Sequence, residues 1–225
     1  MNGRSTRLAM LTLLVPSVAI AQAQSRPPRR RPAAVRPTMA VTPASAHFAL
    51  ATTGNEARFI VREQLTIFES PNDAIGTTRA ITGGITITPA GAVDPASSRI
   101  VVDLSTLTSD KENRDRWIKS HTLKTDSFPN AQLVVKQLQG LPRPLPTSGT
   151  MSLKLLGEMT MHGVTRPVTW DVTLTAHGDD YSGIATTHVK FEDFGMEQPR
   201  LMIVVSVVDD VKLEYDFHFV KSNSR

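Results

Sequence analysis

"GEMTMHGVTRPVTWDVTLTA", residues 157–176, joins two patterns in one short stretch. The first half holds a Met-x-Met-His-Gly bend. The second half alternates: Trp170, Val172, Leu174 and Ala176 are apolar, and Thr169, Asp171, Thr173 and Thr175 between them are polar. Successive side chains of a strand point to opposite faces, so the indole and the aliphatics share one face. That face either packs as ordinary core or lines a cavity that holds something apolar.

The same period of two runs outward from this stretch. Phe59 and Val61 alternate with Arg58 and Arg62, and Ile85 and Ile87 with Thr86 and Thr88. Met151, Leu153 and Leu155 share a face, as do Gly183, Ala185, Thr187, Val189 and Phe191. The last segment is the cleanest, with Val211, Leu213, Tyr215, Phe217 and Phe219 set between Lys212, Glu214, Asp216 and His218. Turn chemistry separates the runs, for example Ser70-Pro71-Asn72-Asp73 and His177-Gly178-Asp179-Asp180. About eight closely spaced strands without intervening helices predict an all-β antiparallel sandwich or barrel.

One segment breaks the period. "SDKENRDRWIKSHTLKTDSFP", residues 109–129, shows no alternation. Ser109 and Glu112 stand in capping-box spacing, which predicts a short helix from Asp110 to Ser120 that closes one end of the barrel.

The ends of the chain have a different character. Two arginines and no acid precede an apolar run from Leu8 to Ile20, and Ala21-Gln22-Ala23 follows as a small-x-small site. This is the pattern of a secretory signal peptide over residues 1–23, so the expected location is periplasmic or secreted. The run is too short for a membrane span and contains Pro16. Residues 24–44 are rich in Pro and Arg, lack apolar period, and read as an extended disordered linker. Its arginines would allow weak peripheral contact with an anionic membrane. The folded domain is expected over residues 45–222.

The formal charge of +4 misleads, because seven arginines lie within residues 1–37, where no acid occurs. The rest of the chain carries 18 basic against 21 acidic groups. A nucleic-acid footprint is therefore not expected. The chain has no cysteine, which rules out disulfides and thiolate chemistry. There is no Gly-x-Ser-x-Gly, no His-Glu-x-x-His and no phosphate or dinucleotide loop. Met159-x-Met161-His162 invites copper, since thioethers and imidazole suit that metal. The plainer reading makes the two methionines apolar filling on one strand face, with His162 starting the bend, and no metal is expected. Asp103, Asp115 and Asp126 have no spacing that argues for a paired acid and base.

The opening stretch also resembles the signature of the YceI-like family of exported lipid-binding proteins. Gly157, Thr160, His162, Gly163, Pro167 and Val168 match its Gly-x-Leu-Thr-Ile-His-Gly-Val-Thr-Lys-Pro-Val pattern, with Met159, Met161 and Arg166 as conservative replacements. Arg114-Asp115 and Phe128-Pro129 match further steps of the family, and Phe194-Gly195-Met196 with residues 205–219 look like its closing strands. Trp117 and Ile118 stand where the family often has His and Leu, and Leu133 replaces the usual Phe. The segment from Glu56 to Leu65 lacks the common early His.

The resemblance implies an eight-stranded antiparallel barrel of lipocalin-like shape, with one short helix and a long internal apolar cavity. It implies no catalysis and no cofactor beyond a bound polyisoprenoid or quinone-like lipid. The cavity-lining set expected on this basis is Phe59, Val61, Ile85, Ile87, Met151, Leu153, Met159, Met161, Trp170, Val172, Leu174, Phe191, Phe217 and Phe219. The partner is then an apolar lipid, and the oligomeric state stays open, a homodimer among the options. Three rivals remain: a barrel with filled core and no cavity, an enzyme using an Asp/His pair, and a stress or adhesion module acting through protein contacts.

Overall fold

The two-residue bend at His162-Gly163 sets the register of the longest hairpin. His162 has φ 50° and Gly163 φ 76°, and positive φ at both central residues marks a type I′ turn, whose twist suits paired strands. A Cβ at position 163 would also lie 2.7 Å from the Phe128 ring, so glycine is required twice over. The turn joins β7 (Ser148–Met161) to β8 (Val164–His177), which pair along their whole length from Met161↔Val164 to Ser148↔His177. The computed structural model describes residues 44–66, 69–200 and 204–222. The expected leader, 1–23, and all but the last residue of the expected linker lie outside the described residues.

The other strands are β1 (Ala46–Leu50), β2 (Glu56–Leu65), β3 (Asn72–Thr78), β4 (Ile81–Ile87), β5 (Arg99–Asp103), β6 (Asn130–Gln139), β9 (Asp180–Val189) and β10 (Val204–Ser222). All pair antiparallel in a single sheet of order β1-β4-β5-β6-β7-β8-β9-β10-β2-β3, closed by pairing of β1 with β10. The ten described segments lie in eight rows. Along one edge of β10, β1 faces Phe219–Ser222 and β2 faces Val204–Asp216, so β1 and β2 are one row with a break. On the far side of that row, β3 faces β2 and β4 faces β1, which makes β3 and β4 a second broken row. The result is an eight-row closed antiparallel barrel, as the alternation and the resemblance predict.

The break at residues 51–55 is held by Asn55. Its Nδ2 donates to the Ala51 carbonyl at 2.9 Å, and its Oδ1 accepts from the His218 amide at 3.0 Å and the Tyr215 hydroxyl at 3.1 Å. The backbone groups freed by the break are thus re-paired, as buried amides must be.

The helix differs from expectation. α1 spans Glu112–Trp117 and runs into a π-turn, Ile118–Thr122. Its cap is Lys111, with no side-chain bond, so the Ser109/Glu112 capping box does not form. Asp115 takes that place: it accepts from the Ser109 amide at 2.9 and 3.0 Å and from the Ser109 hydroxyl at 2.5 Å. Spacing alone favoured Glu112, but a carboxylate one turn further along reaches the same donors. Ser109→Ala should therefore cost about 1.5 kcal/mol, through the lost hydroxyl bond to Asp115 and its weaker bonds with the Lys111 backbone, and Asp115→Ala about 3 kcal/mol, through loss of its bonds to both the Ser109 amide and hydroxyl. Urea midpoints that place the two variants in the reverse order would remove this anchoring role.

Candidate functional site

The interior divides into two halves. At one end the inward faces of β4, β7, β8, β9 and β10 meet and fill the lumen. Phe48 and Tyr181 pack edge to face with centroids 5.0 Å apart, Phe217 and Phe219 lie 5.8 Å apart, and Val135 is fully buried. Tyr181 donates its hydroxyl to the Pro146 carbonyl at 2.8 Å. The other half is hollow, with a cavity of about 710 Å³. Short inward side chains leave the space: Ala57, Ala74, Thr78 and Ala131 all line it. The Phe59 ring packs against Gly76, where an added Cβ would stand 2.2 Å from the ring. Any side chain at position 76 would push that ring into the cavity.

The roof of the hollow half comes from α1 and its π-turn. Trp117, Ile118, Thr122 and Leu123 line it, joined by Leu104, Leu107, Phe191 and Met196 from the connecting segments. Asp110, Lys111, Glu112 and Asn113 are both exposed and cavity-lining, so the cavity meets solvent beside the first turn of α1.

Of the fourteen residues expected on the wall, six are there: Phe59, Val61, Met159, Met161, Trp170 and Phe191. The other eight lie outside it. Ile85, Ile87, Leu153, Val172, Phe217 and Phe219 are buried in the filled half, Leu174 packs against it, and Met151 is half-buried. Alternation gives the face a residue occupies but not its height along the barrel, and these eight sit at the filled height. The sequence reading missed the roof residues Trp117 and Ile118, and also Tyr215. The ends of β5 and β6, at Ile100, Val102 and Leu133, were missed too, although "RIVVDL" and "AQLVV" carried an apolar signal that pointed there.

Met159 and Met161 face the cavity, whereas His162 sits in the turn with Nδ1 3.1 Å from the Phe194 carbonyl. A carbonyl only accepts, so Nδ1 carries the proton. The three residues therefore do not converge on one point, and among the described residues no cluster of His, Asp and Glu fit to hold a metal occurs.

Both arginines at the wall are paired. Arg114 of α1 donates to Glu63 Oε1 at 2.6 Å and also to Asp110. Arg58 reaches Glu214 at 2.7 Å, Asp216 at 2.5 Å and Glu56 at 3.1 Å. Lys212, 2.5 Å from Glu214, and then Arg58 hold the Glu214 carboxyl below its usual range. Two side-chain polar atoms of wall residues are buried without a protein partner, the Trp170 indole nitrogen and the Thr122 hydroxyl.

Burial raises both tyrosines of the chain above their ordinary value of 10. For Tyr215 the cause is desolvation alone, and for Tyr181 it is desolvation and then the Asp179 charge. A raised phenol favours the neutral form, so its contribution to stability is complete below pH 10 and is lost as pH rises past it. Absorbance at alkaline pH should show both tyrosines ionising at higher pH in the folded protein than in urea. A normal titration of both in the native state would contradict their burial.

The YceI-like domain model matches residues 48–219. The chain belongs to the YceI-like family. Curated relatives include UPF0312 proteins of Pseudomonas putida, 34% identical over 114 residues, and of Pseudomonas fluorescens, 32% identical over 117 residues. These matches take in 47% and 48% of the chain, and the chain spans a little over half the length of those relatives, 56% and 57%. Among solved structures, a polyisoprenoid binding domain from Saccharophagus degradans, implicated in plant cell wall breakdown, superposes with TM-score 0.63 at 14% identity. It covers 78% of this chain and 98% of its own. BcnA of Burkholderia cenocepacia superposes with TM-score 0.55 at 13% identity, over 75% of this chain and 98% of its own. At such identities these two establish a shared YceI-like fold, not a shared ligand.

Proposed function

We propose that this YceI-like domain is a non-catalytic binding protein that holds a long apolar chain, a polyisoprenoid or quinone-like lipid, in the hollow half of its barrel. The observation that carries the reading is the cavity itself, about 710 Å³ in volume and walled by Phe59, Val61, Met159, Met161, Trp170 and Leu213. A well-packed interior keeps few voids larger than a water molecule, so a space of this size in an otherwise filled barrel is made for an occupant. Each methylene withdrawn from water contributes ~0.8 kcal/mol, which lets a few prenyl units bind with no charged contact. The polyisoprenoid binding domain of similar fold supports the choice of ligand.

The leader-like pattern of residues 1–23 supports a role as carrier or store in the periplasm or outside the cell, with the Arg-rich segment after it near an anionic membrane. N-terminal sequencing of exported protein should begin at Gln24. The ligand is tested by organic extraction of the purified protein and mass spectrometry. An isoprenoid in near-stoichiometric amount is the expected result. Absence of lipid, together with no binding of added prenyl chains, would favour the module acting through protein contacts.

A further inference from the structure

Resting on the apolar-chain reading above, we propose that the cavity selects chains with a neutral head over chains that end in phosphate or diphosphate. The charges at the wall lead to this. Among the described residues, three cations line the cavity, Arg58, Lys111 and Arg114, against four carboxylates, Glu63, Asp110, Glu112 and Glu214. Neither arginine is available to an anion. Arg114 is held by Glu63 and Asp110. Arg58 is held by Glu214, Asp216 and Glu56. Lys111 is 60% exposed and 3.8 Å from Asp110, so it belongs to the solvent edge.

The inner ion pair is the decisive one. The Glu63 side chain is 8% exposed and that of Arg114 13%, and they meet at 2.6 Å on the cavity wall. Asn72 adds a further donor to Glu63 at 3.4 Å. A phosphate entering here would have to take Arg114 from Glu63 and leave a buried carboxylate without its partner, which is strongly unfavourable. It would also face a wall with more carboxylates than cations. The side-chain polar atoms that wall residues leave unpaired are neutral, the Trp170 indole and the Thr122 hydroxyl. A hydroxyl, a carbonyl or a plain hydrocarbon terminus meets no such penalty.

The test compares geranylgeraniol with geranylgeranyl diphosphate, whose identical tails cancel the apolar contribution. Each is titrated into the delipidated protein, with tryptophan emission as the signal. The alcohol should bind at least about tenfold more tightly, a difference of about 1.4 kcal/mol. Glu63→Gln frees Arg114 from its inner carboxylate and should narrow the ratio at least about threefold. Asp110→Asn, at an exposed carboxylate, should narrow it in the same sense and stands in should Glu63→Gln fail to fold. Equal or tighter binding of the diphosphate by the unaltered protein overturns head selection and leaves the apolar-chain reading standing. A ratio unmoved in the folded variants overturns the role of the ion pairs. Binding of neither probe overturns the apolar-chain reading and head selection with it.

Discussion

Trp170→Asp should abolish retention of an apolar chain. Trp170 is 7% exposed and its indole forms part of the cavity wall. An aspartate there puts a carboxylate among apolar side chains, and desolvating it costs several kcal/mol unless it is paired. The cations that line the cavity are already engaged by carboxylates. Trp170→Leu keeps the wall apolar and should keep most of the retained lipid. The measurement is lipid per folded protein after extraction, with far-ultraviolet circular dichroism to fix the folded fraction. Lipid retained in full by folded Trp170→Asp would remove the indole from the binding surface. Trp117 offers no control for emission, because it too lines the cavity and stacks on His121 with ring centroids 4.9 Å apart. A change in emission on delipidation is expected from either tryptophan alone.

Phe194→Ala should give the largest loss of stability without touching the cavity wall. Phe194 is fully buried in a 3-10 turn, Glu192–Phe194, between β9 and β10. Its carbonyl accepts from His162 at the tip of the β7–β8 hairpin, and His162 in turn packs on Phe128 with ring centroids 4.9 Å apart. The turn therefore ties three separate connections together, and the buried Phe194 ring belongs to the apolar core. Truncation of a buried Phe to Ala costs about 3–5 kcal/mol. In a domain of this size each kcal/mol lowers Tm by about 2–4 °C. A denaturant midpoint shift worth less than about 1 kcal/mol would show that the site collapses around the smaller side chain.

The contrast between these two sites explains what the sequence made legible. Strand faces were readable wherever polar and apolar residues alternate without interruption, as from Thr169 to Ala176 and from Val211 to Phe219. The eight-row barrel followed from those runs. Height along the barrel was not readable, because it depends on which residue of one strand meets which residue of the next. Trp170 and Val172 are neighbours on one face of β8, yet the first walls the cavity and the second lies in filled core. Ile85 and Ile87 go to the filled end because β4 pairs there with β1, a contact between residues about forty positions apart in the chain. The breaks in two rows were hidden for a related reason. Asn55 looks like an ordinary loop residue until Tyr215 and His218, far along the chain, supply its partners. The roof was only partly legible. The loss of alternation after Ser109 marked a helix, but its anchoring by Asp115 rests on side-chain reach that spacing rules do not encode.

On the proposed reading, the filled half of the barrel bears on how a bound chain is released. Its aromatic and aliphatic side chains, Phe48, Tyr181, Phe217 and Phe219 among them, are buried without lining the cavity, so emptying the cavity leaves their packing on one another in place. On that same reading, a bound chain could then leave and return while the filled half stays folded. Occupancy should then raise the melting temperature only through mass action, growing with the logarithm of free ligand over Kd. Reversible cycles of loading and release at constant secondary structure are the behaviour that such a two-part interior permits.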